Sequence, residues 1–209
     1  MISTEAGAKS YVAGLGDEAA IDRLSLLAAD LAEENQSQNL VARATMATVW
    51  QRHIADSAQL LAYCPEQPAV WMDLGSGAGF PGLVIAALRP QIPVMLVESR
   101  KRRVDWLNRA STRMGLENCR VEGCRLEQVE RFDAGVISAR AFAPLDRLLS
   151  LSARFSTTTT CWVLPKGRSA EQEVQGLSRT GRAMFHVEQS LTDPEAGIVV
   201  GRGKWSETS

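Results

Sequence analysis

Four glycines within eight positions, Gly75, Gly77, Gly79 and Gly82, follow directly on an acid, Asp73. A run like this lets backbone approach a nucleotide-like ligand, because side chains at those positions would fill the ligand's space. From Gly77 the spacing fits G-x-G-x-x-G, and Glu98 stands 21 residues further on. That is about where a dinucleotide enzyme places the acid that holds a ribose. From Asp73 the spacing instead reads D-x-G-x-G-x-G. A carboxylate at the mouth of the loop repels a pyrophosphate, yet it accepts hydrogen bonds from an amine or from loop amides. Pro81 suits the first turn of a following helix, and it removes one amide donor that a pyrophosphate would use. The pattern therefore favours S-adenosylmethionine, which carries an ammonium and a sulfonium and no phosphate. A dinucleotide is the alternative.

The elements that must position these residues alternate. Val70–Leu74 is a short apolar strand running into the loop, and Leu83–Arg89 is the helix beyond it. Val94–Glu98 is a second strand with the acid at its carboxyl end. Lys101–Met114 is a helix with Val104, Leu107 and Met114 facing inward and its arginines facing out. Strands are expected at Cys119–Val121, Gly135–Ser138 and Thr160–Leu164, with helices at Leu145–Ala153 and Ala170–Leu177. The last two strands, around Ala183–Glu188 and Ile198–Gly201, have no long helix between them and are expected to pair antiparallel at the sheet edge. Alternation of this kind implies a mostly parallel sheet with right-handed crossovers. Before it, residues 17–34 form an amphipathic helix through Ile21, Leu24, Ala28 and Leu31. A second helix is expected from Thr45, as cap, to Tyr63, carrying Val49, Trp50, Ile54 and Leu61. Arg52, His53, Asp56 and Ser57 are its polar neighbours, and His53 taken alone reads as a packing histidine. The domain division is a helical N-terminal lobe, residues 1–68, and a cofactor-binding core, residues 69–209.

In an open sheet of this type, ligands bind beyond the carboxyl ends of the strands. That rule selects Asp73 to Gly79, Glu98, Arg125 to Glu127, Arg140 to Phe142, and Lys166. Glu98 can accept from ribose hydroxyls, and Leu126 with Glu127 can cover an adenine and bond its amino group. Arg125, Arg140 and Lys166 put three cations on one rim, which favours an anionic substrate.

With 209 residues and 45% hydrophobic content, the chain can bury a full core without staples. No run of eighteen apolar residues and no apolar leader is visible, so neither a membrane span nor a secretory signal is expected. Cys64, Cys119, Cys124 and Cys161 show no C-x-x-C spacing; reduced thiols in a cytoplasmic protein are expected, with no metal site. The net charge of −1 hides an asymmetry. Residues 1–40 carry seven acids against Lys9 and Arg23, while residues 100–113 carry six cations against Asp105 alone. The basic stripe is either an electrostatic footprint for RNA or a solvated helix face.

If the cofactor is adenosylmethionine, the missing residues narrow the acceptor. An exocyclic amine usually calls for a clamp such as N-P-P-Y after the fourth strand, and that place reads SARAFAPL. A pyrimidine carbon calls for a cysteine nucleophile at a strand's carboxyl end, and none is there. Guanine N7 already offers a lone pair and carries no proton, so alignment replaces a general base. Phe80 or Phe142 could stack on an extruded base or serve as core.

The motifs NLVAR (39–43), W-x-R-H-I-A-D-S (50–57), DLGSGAGFPG (73–82), ES-x-x-R (98–102), CRLEQ (124–128), ISARAFAPL (137–145) and LPKG (164–167) occur in this order. Together they resemble the bacterial small-subunit ribosomal RNA 7-methylguanosine methyltransferases, the glucose-inhibited division protein B family, over about residues 20–170. The resemblance implies a Rossmann-like class I S-adenosylmethionine-dependent methyltransferase fold (α/β). It further implies a guanine in the decoding-region loop of 16S ribosomal RNA, or of the small subunit, as substrate; a cytoplasmic monomer is expected. It places Gly75, Phe80, Leu126, Glu127 and Arg140 against the cofactor, and Arg125 and Lys166 toward RNA or cofactor. Two departures stand out. Ala139 is an extra residue in the family's I-S-R-A-F, and Ala196 replaces a basic residue before the last strand, with Arg202 as a possible substitute.

Overall fold

The computed structural model describes residues 1–206. α1 (Glu5–Ala13) starts where Thr4 Oγ1 accepts from Gly7 N, and α2 (Glu18–Glu34) starts where Asp17 accepts from Ala20 N. Each of these side chains satisfies an amide that has no partner inside its helix. The stripe that α2 buries is Ala20, Leu24, Leu27 and Leu31, one step round from the expected Ile21 and Ala28, which are half-buried.

The long helix expected from Thr45 to Tyr63 is not continuous. A 3-10 turn (Arg43–Thr48) passes into a π-helical turn (Trp50–Ala55), then α3 (Asp56–Ala58), then a second 3-10 turn (Gln59–Tyr63). Thr45 is not the cap either: its hydroxyl donates back to the Ala42 carbonyl at 2.8 Å. The break has a cause outside the segment. Glu5 of α1 accepts from Trp50 N at 3.2 Å and Gln51 N at 2.9 Å, capping the π turn from a distant helix.

Downstream the alternation holds. β1 (Trp71–Leu74), α4 (Gly82–Leu88), β2 (Val94–Val97), α5 (Lys101–Arg113), β3 (Cys119–Glu122), β4 (Val136–Ala139), α6 (Leu145–Ser152), β5 (Cys161–Gly167) and α7 (Ala170–Gln175) follow in order. A short helix that the sequence reading did not expect, α8 (Arg179–Met184), precedes β6 (Phe185–Gln189) and β7 (Gly197–Arg202). The seven strands form one sheet in the order β3-β2-β1-β4-β5-β7-β6. β1 to β5 are parallel, and β7 lies antiparallel between β5 and β6. This is a Rossmann-like mixed sheet with its order reversing between β1 and β4, where such folds open a crevice.

Each face has its own core. Trp71, α4, Trp106 and Leu107 pack with the leader's Leu24, Leu27, Leu31 and Ile54 on one side. Met72, Leu74, Leu148, Phe155 and Trp162 fill the other. Trp71 and Met72 go to opposite faces because successive strand residues alternate. In α5 the buried residues are Trp106, Leu107, Ala110 and Ser111, and Val104 is only half-buried.

The charge asymmetry between residues 1–40 and 100–113 resolves inside the molecule. Arg109 pairs with Glu34 at 2.7 Å, Arg113 with Asp30 at 2.7 Å, and Arg102 donates to the Ser37 carbonyl at 3.0 Å. Two of the six cations of the basic stripe, Arg109 and Arg113, thus pair with acids of α2, while Arg100 and Lys101 stay exposed. Arg202 is a correction. It is paired with Cys161 at the amino end of β5, the sheet edge opposite the loops, and cannot replace a cation before β7.

Candidate active site

The glycine loop is built on a buried acid. Asp73 is fully buried, and its Oδ2 accepts from Gly82 N at 3.2 Å while Oδ1 accepts from Ser138 Oγ at 2.8 Å. Ser138 in turn accepts from Trp71 Nε1 at 2.8 Å. Burial pushes the Asp73 carboxyl up to about 6, against the downward pull of those hydrogen bonds. Asp73 therefore folds the loop from beneath and lines neither of the two cavities described below.

Glu98, just past β2, closes the loop from the other side. Its Oε2 accepts from Gly77 N at 3.1 Å, and its Oε1 accepts from Ser99 N and Arg100 N at 2.8 and 2.9 Å. Gly75 N and Ser76 N both donate to the Val97 carbonyl, and Gly79 N to that of Ser76. The loop amides at 75, 76, 77, 79 and 82 are all engaged within the protein. A pyrophosphate site depends on amides aimed outward at the ligand, so the dinucleotide alternative loses its main contact.

A cavity of about 470 Å³ opens above this loop at the carboxyl ends of β1, β2 and β3. Gly75, Glu98, Arg125, Leu126, Glu127 and Phe142 line it together, joined by Arg100, Arg103 and Arg147. Gly75 has φ +64°, and a Cβ built there would stand 2.5 Å from Phe142 Cδ2. The position therefore admits only glycine while Phe142 rests on it. These residues fit an adenosyl ligand: an apolar patch at Leu126, a carboxylate at the β2 end for a ribose, and no phosphate cradle. Gly77, Gly79 and Phe80 are not in this wall.

Phe80 is buried between other groups. The His53 ring stacks on it with centroids 5.1 Å apart and planes 20° apart, and the Arg140 guanidinium lies 5.1 Å from its centroid.

Behind Phe142 lies a larger cavity of about 890 Å³, bounded by the leader, the loop after β4, the end of β5 and the start of β7. Residues 141–144 belong to both cavities and form the partition between them. Ala141 takes φ +54°, a strained backbone for an alanine. The partition is tied down by Lys166, whose Nζ donates to the Ala143 carbonyl at 2.6 Å and pairs with Glu173 at 2.9 Å. Glu173 also accepts from Leu145 N at 2.7 Å.

The cations of this second cavity are matched by acids. Arg52 pairs with Asp193 at 2.7 Å, Lys166 with Glu173, and Arg140 stands 3.6 Å from Asp56 and donates to the Arg52 carbonyl at 3.4 Å. A wall of balanced charge suits a polar neutral group better than a bare anion. Of the three rim cations, Arg125 lines the smaller cavity and Arg140 and Lys166 the larger.

His53 also lines the larger cavity. Thr45 uses its one hydroxyl hydrogen on the Ala42 carbonyl, so its Oγ1 accepts from His53 Nε2 at 2.7 Å. That fixes the tautomer and leaves Nδ1 as a buried acceptor with no partner among the described residues. Burial, together with the charges of Arg140 and Arg52, lowers the imidazole to about 3. It is neutral at physiological pH.

Asp56, Glu173 and Asp193 had not been singled out as site residues. Asp56 gave the clearest signal, a carboxylate among polar neighbours in an otherwise apolar helical stretch. Glu173 comes in on α7, directly after β5, and Asp193 on the β6–β7 connection, which leaves no local trace.

The model of the family described as rRNA small subunit methyltransferase G (GidB) matches residues 20–197. The chain belongs to this family. A ribosomal RNA small subunit methyltransferase G of Erythrobacter litoralis (strain HTCC2594) is 59% identical over 204 residues, covering 98% of this chain and 99% of that one. Its counterpart from Novosphingobium aromaticivorans is 56% identical over 188 residues, covering 89% and 82%. Among solved structures, a putative methyltransferase from Escherichia coli shares the fold at a TM-score of 0.55 and 13% identity, over 72% of this chain and 87% of that one. The GidB match takes in nearly all of both cavities and the partition; α1, whose Glu5 caps the π turn, lies outside it.

Proposed function

We propose that this chain transfers a methyl group from S-adenosylmethionine to N7 of a guanine in 16S ribosomal RNA, in the decoding-region loop of the small subunit, in the cytoplasm. The observation that carries the reading is the pair of cavities meeting at Phe142 over Gly75, in a chain of the GidB family. One cavity has the shape and chemistry for an adenosyl group. The other has balanced charge and apolar surface for a base.

When bound, the cofactor supplies a methyl already activated on sulfonium. The roles of the chain's own residues are positional. Glu98 is held by three amides at the β2 end, where a ribose would sit. Leu126 offers an apolar face for adenine, with Glu127 beside it. Phe142, pressed onto Gly75, stands between the two cavities and would separate the ligands. With the cofactor bound, these residues would have only to line up its methyl with guanine N7, whose lone pair is the nucleophile and needs no deprotonation. No proton moves, in keeping with a His53 imidazole lowered to about 3 and so a weak base. Alignment of this kind can lower a barrier by roughly 7–11 kcal/mol.

The test uses small ribosomal subunits from a strain lacking the gene, with labelled S-adenosylmethionine and the purified protein. Label should enter 16S RNA. Label in protein or small metabolites and none in RNA would overturn the proposal.

A further inference from the structure

The larger cavity can do more than admit a base, because its carboxylates are not equivalent. Glu173 is engaged on both oxygens: Oε2 accepts from Leu145 N and Lys166 Nζ, and Oε1 accepts from Ser169 Oγ at 2.6 Å. Asp193 is held by Arg52 at 2.7 Å and by Glu195 N at 3.0 Å. Asp56 is lopsided. Its Oδ1 accepts from Thr192 Oγ1 at 2.7 Å and Gln59 Nε2 at 2.9 Å. Its Oδ2 has a single loose partner, the Arg140 guanidinium, whose Nη1 lies 3.6 Å away.

An acceptor held rigidly on one oxygen and only loosely ion-paired on the other has lone-pair capacity left to read a donor on a ligand. We infer that Asp56 determines base specificity, its Oδ2 accepting from the N1–H and N2–H₂ edge of the target guanine in this cavity. The inference rests on the proposed methyl transfer and names what selects its substrate. Among the four RNA bases, only guanine presents two adjacent donors on its pairing edge. Adenine and cytosine would set a ring-nitrogen lone pair against the carboxylate, and uracil would flank its single donor with carbonyls. Flipped bases are commonly read on that edge. N7 lies on the far edge of the purine, so a guanine held this way turns N7 away from Asp56. The cavity volume of about 890 Å³ accommodates a nucleotide with its neighbours, and Leu40, Val41 and Ile198 supply apolar wall.

The contact also gains strength during the reaction. As N7 acquires the methyl and its positive charge, N1–H becomes more acidic and donates more strongly to the carboxylate. An interaction stronger in the transition state than in the ground state raises kcat as well as affinity.

Asp56→Asn reverses the polarity of the contact without changing its size. Thr192 and Gln59 both donate to the Oδ1 position, so the amide oxygen is held there and the NH₂ group replaces Oδ2. The experiment compares wild type and Asp56→Asn on 16S RNA carrying either guanine or inosine at the target position, with cofactor affinity measured by calorimetry. Inosine lacks only N2–H₂. Wild type should prefer guanine by about tenfold or more. Asp56→Asn should lower kcat/KM for guanine roughly 100-fold, with the guanine-to-inosine ratio falling toward one and cofactor binding unchanged. Thr192→Val is the second variant; by freeing Asp56 to turn, it should lower the guanine preference several-fold while leaving turnover measurable. An active wild type whose preference survives in both variants overturns the role of Asp56 alone. A wild type that methylates neither RNA overturns the underlying reading and this inference with it.

Discussion

At the scale of single residues, the site shows side chains whose chemistry is set by what they lack. His53 has one nitrogen bonded and one orphaned, and its low pKa of about 3 makes a pH prediction. The unfolded chain takes up a proton near 6.5, whereas the folded chain resists it until about 3. This contribution to stability is therefore complete above pH 6.5 and is lost as pH falls toward 3, at up to about 1.4 kcal/mol per pH unit. Asp73 acts in the opposite sense. Its raised value near 6 means the folded state binds a proton before the unfolded state does, so its contribution improves between pH 6 and about 4. The two are separated by comparing wild type with His53→Gln in urea melts from pH 7 to pH 4. The variant, lacking the His53 loss, should fall less or rise more in stability than wild type as pH drops from 7 to 4. Parallel profiles would mean that His53 is no more resistant to protonation when folded than when unfolded.

Residue-level reading of the sequence located Asp73, Glu98 and the glycines well, because their spacing is short and local. It could not tell which of them face a ligand. Asp73 turns out to brace the loop from below, and Phe80 is covered by His53 and Arg140. Those outcomes depend on partners far away in the chain, and no local pattern encodes them.

At the scale of elements, the five parallel strands were legible because buried strands are short continuous apolar runs. The leader was not. Its apolar spacing suits one helix, yet contacts from Glu5 at its start and from the β6–β7 connection at its end override that preference. Gln59 and Asp56 are bonded to Ser190 and Thr192 across more than 130 positions. The resulting π-helical turn brings Arg52 and His53 to the cavity, and such turns often occur at functional sites. α5 carries the other reading on which tertiary partners bear. Arg109 and Arg113 are engaged by α2, so Arg109→Glu with Arg113→Glu should lower Tm by a small amount. RNA methylation should stay within about twofold, since a true footprint cation would instead weaken binding and reduce the salt slope. A large rise in KM with a shallower salt dependence would restore the stripe as an RNA surface.

At the scale of the whole molecule, strand order decides where chemistry happens. The reversal between β1 and β4 opens the crevice, the first three strand ends line one cavity, and the β5–β7 pair closes the other. Composition and alternation were enough to anticipate the sheet and its ligand edge. The second cavity was not anticipated, because it forms only when the leader, the β4 loop and β7 converge. The central claim is that the two cavities align a methyl donor with a ring nitrogen that needs no deprotonation. Mass analysis of nucleosides from 16S RNA methylated by the purified protein tests it most directly. The account predicts 7-methylguanosine at a single position and no other new modification; methyl on an exocyclic amine, a ring carbon or a ribose hydroxyl would contradict it.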